Sequence, residues 1–153
     1  MDYIIEGPQI KQSPICIPIL RLLPEWFAIE EDILDYEREI EQLPTFLAKT
    51  DGNVLGFLSL KQHNPYSAEI LVMAVHPGAH RSGIGRALVA AAETHARGLG
   101  AEYMQVKTLG PSRPDEGYAR TRAFYEALGF RPLEEFKKIW DENNPCLVMV
   151  KRM

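Results

Sequence analysis

Residues 75–88 read VHPGAHRSGIGRAL, and what this glycine-bearing loop holds decides the fold. Upstream, Ile70 to Val75 (ILVMAV) is almost continuously apolar, which predicts a central strand covered on both faces. Downstream, Ile84, Leu88, Ala91, Ala92, His95 and Leu99 recur at three- and four-residue steps. That spacing predicts a helix whose small alanines let it lie close on a sheet, ending near Gly98 and Gly100. Spacing separates three phosphate cradles that share this order. In a Walker loop a lysine and a hydroxyl follow the second glycine, but after Gly78 and Gly83 come Ile84 and Gly85. A dinucleotide fingerprint needs a third glycine where Leu88 stands, and a tighter turn than the seven residues between Val75 and Gly83. There remains a bare helix N-terminus. Arg81, Ser82, Gly83, Ile84, Gly85 and Arg86 would present successive backbone N–H groups to a pyrophosphate, with the two glycines permitting close approach.

Outward from this loop the chain alternates strands and helices. Tyr3 to Glu6 predicts a first strand, and Pro14 to Phe27 a helix interrupted by Pro18 and Pro24. Glu30 to Leu43 is a clearer helix: Ile33, Tyr36, Ile40 and Leu43 share one face, and acids surround them. Pro44 ends it. Thr45 to Lys49 and Val54 to Lys61 flank Asp51-Gly52-Asn53 as a hairpin. Beyond the central helix, Glu102 to Thr108 predicts a strand and Asp115 to Leu128 a helix stopped by Gly129. PLEEFKKIW and CLVMVK bracket DENNP as a closing hairpin.

The 153 residues suit one domain, 1–153, large enough to bury a core without metals or disulfides. A net charge of -4 argues against a general nucleic-acid binder, and no segment reaches the ~20 apolar residues of a membrane span. The N-terminus carries no leader pattern, and the two cysteines, Cys16 and Cys146, sit in apolar stretches; both observations predict a cytoplasmic protein with core thiols.

With the loop read this way, the chain resembles the GNAT superfamily of acetyl-CoA-dependent N-acetyltransferases from about Val54 to Val150. HRSGIG at 80–85 is similar to that family's Gln/Arg-x-x-Gly-x-Gly/Ala motif except at His80. Ala123-Phe-Tyr-Glu-Ala-Leu-Gly-Phe130 is similar to its A-x-x-F-Y-x-x-x-G-F signature, with Tyr118 and Thr121 where many members have Asn and Ala. The resemblance implies a mixed α/β fold with a mostly antiparallel sheet flanked by helices. It implies acetyl-CoA as cosubstrate, no metal, and direct acetyl transfer to a primary amine in a ternary complex. Met73, Ala74 and Val75 would lend backbone groups to the pantetheine arm and polarise the acyl carbonyl. Glu69 would be the base that deprotonates the amine, and Tyr125, facing the cofactor sulfur, the acid for the leaving thiolate.

Each role has a plainer counterpart: a strand-edge glutamate in solvent for Glu69, aromatic packing for Tyr125, a core strand for Met73 to Val75. A noncatalytic acyl-CoA-binding or regulatory module of the same fold would need only the backbone cradle. The acceptor, a small molecule or a protein amine, is left open. The acids of Glu30 to Gln42 read as a solvated face rather than a cleft wall, and Trp140 as either a cleft or a surface residue. His76 and His80, four apart, have no third ligand nearby in sequence. The segment from Thr108 to Ala119 is long for a connector and predicts an acceptor-side loop or a subunit contact, the latter as in a homodimer.

Overall fold

The computed structural model describes residues 2–153. In chain order the elements are β1 (Ile4–Gln9), α1 (Ser13–Arg21), α2 (Glu30–Gln42), β2 (Thr45–Thr50), β3 (Asn53–Asn64), β4 (Ser67–Val75), α3 (Ile84–Gly98), β5 (Tyr103–Leu109), α4 (Glu116–Ala127), β6 (Arg131–Asp141) and β7 (Asn144–Arg152). All seven strands form one sheet in the order β1-β2-β3-β4-β5-β7-β6. Every neighbouring pair is antiparallel except β4 and β5. The parallel pair follows from α3, which carries the chain over the sheet between them. This is the expected mixed, mostly antiparallel architecture.

The elements differ from expectation mainly at their ends. The first helix stops at Arg21, not Phe27: Pro18 is carried inside it, whereas Pro24, with no N–H to donate, lies in the turn that follows. The hairpin joining β3 to β4 through Pro65-Tyr66 was not legible, because its strand ends are polar and exposed. A core on one face of the sheet gathers Ile84, Leu88 and Ala92 of α3 with Tyr125 and Phe130. A second, on the other face, gathers Cys16 and Leu20 of α1 with Ile33 and Ile40 of α2. α3 lies close to β3 at Gly56, where a Cβ would meet Ala74 O at 3.1 Å and the Ile84 side chain at 3.2 Å.

Two irregularities open the centre of the sheet. β4 and β5 pair only from Ser67–Ile70 against Tyr103–Val106. Beyond that β4 stays paired to β3 as far as Val75, and β5 to β7 as far as Leu109, so the two half-sheets part like a wedge. At the point of parting β4 carries a bulge: Ile70 faces Leu60 and Val72 faces Ser59, which leaves Leu71 as the extra residue. The insertion reverses the alternation. Ala68 and Ile70 belong to the first core, whereas Val72 and Ala74 belong to the second.

Candidate active site

A cleft of about 750 Å³ occupies the wedge, bounded by β4, β5, the 79–86 loop, α4 and the chain between α1 and α2. On one side is the head of α3. Gly83 (φ 85°) and Arg81 (φ 63°) are both left-handed, Arg81 at a cost that a non-glycine residue bears only where its surroundings hold it. No side chain caps the helix; its first internal bond is donated by Ala87 N to Gly83 O. The N–H groups of Ile84, Gly85 and Arg86 therefore have no helical partner and carry the positive end of a 15-residue helix. A Cβ at Gly85 would meet the Phe124 ring at 3.1 Å, so the glycine lets α4 close against the loop.

The wedge wall of β4 supplies backbone groups selectively. His76 N–H bonds Leu55 O on β3 at 2.7 Å, so by the alternation of an antiparallel ladder Ala74 also faces β3, and Met73 and Val75 face the wedge. Val75's carbonyl already accepts from His80 Nε2 at 2.8 Å. Of the three residues expected to serve the pantetheine arm, Ala74 thus turns its polar groups away, leaving Met73 and the Val75 N–H. His80 ties the loop to the strand through its side chain, and His76 Nδ1 accepts from Gly78 N at 3.0 Å. Among the described residues no group of three metal-ligating side chains forms.

Tyr125 lies on the same cleft, 5% exposed, with its ring edge-on to Phe124 and Phe130 at 5.2 and 5.4 Å. Burial pushes its phenol well above the ordinary tyrosine value, with Tyr36 adding to the effect, so it stays protonated. Glu69 is 2% exposed and lies behind the lining rather than in it. His63 Nε2 is 2.6 Å from Oε1, and Lys107 Nζ stands 3.3 Å from both carboxylate oxygens. Lys107 lines the cleft, and the His63 side chain is 30% exposed, so the carboxylate joins the cleft to solvent. Both cysteines are buried, and burial lifts Cys16 to about 12 and Cys146 to about 11, which keeps them as thiols.

Residues that sequence reasoning gave no site role fill the other side of the cleft: Trp26, Phe27, Tyr36, Lys107, Tyr118 and Arg120. Tyr36, on the apolar stripe of α2, points into the cleft, and burial, reinforced by Tyr118, pushes it up to about 12. It is the α2 residue in the lining; the helix's acids stay outside it. Trp140 lines the mouth while 44% exposed. Thr108 Oγ1, in the lining and 3% exposed, is the buried side-chain polar atom without a partner among the described residues. Of these only Tyr36 carries a signal in the sequence, its place on the apolar stripe of α2, and that does not mark a cleft by itself.

A model of the acetyltransferase (GNAT) family matches residues 18–130. Mycothiol acetyltransferase of Beutenbergia cavernae is 36% identical over 83 residues, which are 54% of this chain and 26% of that protein. The chain spans about a quarter of the length of the curated relatives it matches. Ard1 from Thermoplasma volcanium superposes with a TM-score of 0.78 at 20% identity, covering 100% of this chain and 99% of the other. PaiA N-acetyltransferase from Thermoplasma acidophilum, in complex with coenzyme A, superposes at 0.75 with 20% identity over 100% of both chains.

Proposed function

The chain belongs to the acetyltransferase (GNAT) family, and from that premise we propose that it transfers an acetyl group from acetyl-CoA to a primary amine by direct attack in a ternary complex. The observation that carries this reading is the uncapped head of α3 opening into the wedge beside Tyr125. Free N–H groups, two glycines without side chains, and Arg81 and Arg86, which form no salt bridge among the described residues, fit the pyrophosphate of coenzyme A. A Cβ at Gly83 would be strained and one at Gly85 would strike Phe124, so the cradle depends on their absence.

Acetyl-CoA supplies the activated acyl carbon. The protein's residues position it and move two protons. The N–H groups of Met73 and Val75 face the wedge to hold the pantetheine arm and polarise the carbonyl as charge develops on its oxygen. The acceptor's nitrogen bonds to the carbonyl carbon, the C–S bond breaks, and Tyr125 gives its proton to the departing sulfur. Glu69, which lies behind the lining beside Lys107, takes up the amine's proton through water, and His63 opens the far side of the carboxylate to solvent. The buried, unpaired thiols fit a reducing cytoplasm, and among the described residues no helix is long and apolar enough to cross a membrane. Self-association as a homodimer through the 108–119 segment belongs to the same reading, and sedimentation tests it.

Calorimetric titration with acetyl-CoA, beside the Gly83→Val/Gly85→Val double variant, tests the cradle. Saturable binding to the parent that is lost in a folded variant supports it, and no binding to the parent overturns it. Acceptor-dependent release of coenzyme A then separates an enzyme from a module that only binds.

A further inference from the structure

We infer that the acceptor half of this cleft is an aromatic-walled subsite built on Trp26, for a small monoamine carried on a planar apolar body; this rests on the acetyl-transfer reading above. Trp26 sits in the connection between α1 and α2, yet it is fixed from four directions. Its indole Nε1–H donates to Thr121 Oγ1 at 3.1 Å, and its carbonyl accepts from the Tyr118 hydroxyl at 3.0 Å. The His80 ring stands edge-on at 6.2 Å. Gly117 leaves room for the indole, since a Cβ there would lie 3.3 Å from Trp26 Cζ2. His80, Tyr118 and Thr121 are the three positions at which the two motifs depart from the family pattern, and all three meet at this one residue, His80 and Thr121 at its indole and Tyr118 at its carbonyl. These contacts hold the connection in place as a wall of the cleft, so that less ordering remains to be done when a ligand binds.

The rest of the subsite agrees. Phe27 and Tyr36 stand edge-to-face at 6.0 Å, and Trp140 closes the mouth, so flat surfaces face the cleft from three segments. Such walls favour a planar apolar body by edge and offset contacts. Among the described residues the lining holds no Asp or Glu, and Lys107 and Arg120, the cations of this half beside Arg81 and Arg86 at the head of α3, would repel a second or third ammonium. Lys107 is paired with Glu69 and Arg120 with Glu25 at 3.4 Å, so neither carboxylate is left over for a polycation. Thr108 Oγ1, buried and without a partner among the described residues, is a hydrogen-bonding atom that a polar ligand group would satisfy. Because the pantetheine arm shares the 750 Å³, the space that remains suits a small molecule.

The test measures two things on the same protein. Coenzyme A release is followed with 2-phenylethylamine, ethylamine, spermidine, kanamycin and a short peptide with a free N-terminus. Calorimetry follows the binding of 2-phenylethylamine in the presence of coenzyme A. The expected result is a kcat/KM for 2-phenylethylamine at least about tenfold above the other amines. Trp26→Ala should raise its KM about tenfold, Trp26→Phe should restore most of the loss, and Thr121→Val should fall between. The acetyl-CoA affinity of all three should stay within about twofold, which shows that they fold. Preference for spermidine, kanamycin or the peptide overturns the subsite, as does a Trp26→Ala effect equal across all amines. Binding of 2-phenylethylamine that Trp26→Ala abolishes, without turnover of any amine, upholds the subsite and removes the acetyl-transfer reading instead.

Discussion

The two halves of the cleft are built from different material. The half at the head of α3 is made of backbone: uncapped N–H groups, two glycines and the β4 edge left unpaired where the sheet parts. The half beneath the α1–α2 connection is made of side chains, with Trp26, Tyr36, Tyr118 and Lys107 arriving from four separate elements. Backbone groups are the same whatever the residue, so such a surface recognises a constant ligand part such as a pyrophosphate. Side chains differ, so the second half is where one member of a family departs from another. Tyr125 stands at their junction, and Glu69 lies buried behind the second half, paired with the half-buried Lys107.

Substitution can break the division. The largest effect is expected from Gly83→Val/Gly85→Val, which strains a left-handed residue and drives a side chain into Phe124; acetyl-CoA affinity should fall at least about a thousandfold by calorimetry while circular dichroism persists. Retention of affinity would mean that the backbone half is not the cradle. At the junction, Tyr125→Phe should lower kcat about a hundredfold and leave the acetyl-CoA dissociation constant unchanged in single-turnover and binding measurements. An equal loss in both would make Tyr125 a binding residue. Behind the second half, Glu69→Gln strands the Lys107 ammonium, whose side chain is 31% exposed, and should cost about 2 kcal/mol in urea unfolding. Lys107→Met in the same chain should recover most of that.

The smallest expected effect is a null one. Tyr36 is raised to about 12, and an acid so raised keeps its proton until the pH approaches that value. Hence Tyr36→Phe should leave the shape of kcat/KM against pH unchanged between about 7 and 10, even where its magnitude falls. A basic limb in that window that vanishes in the variant would show that Tyr36 itself titrates during turnover.

What the sequence determined alone was the order of elements and the run of strand, loop and helix that forms the backbone half of the cleft. A loop glycine, an apolar strand and a periodic helix are local features, and VHPGAHRSGIGRAL joins the end of the strand to the start of the helix through Gly83, which takes a positive φ. Even there, local reading overreached: it included Ala74, whose polar groups the ladder turns to β3, and it ran the first helix past the turn at Pro24. Glu69 was legible as a strand glutamate, but not its pairing with His63 and Lys107, because those partners lie six and thirty-eight residues away. Only the tertiary structure decided the half built of side chains. Trp26 is ninety-five residues from Thr121 and ninety-two from Tyr118, and nothing in either segment signals the other. They meet because a bulge at Leu71 and a four-residue β4–β5 pairing part the sheet, and the helices on its two faces then close over the gap. Backbone conformation is fixed by neighbours in sequence, whereas a cleft wall is fixed by packing between distant segments, and single residues do not encode that.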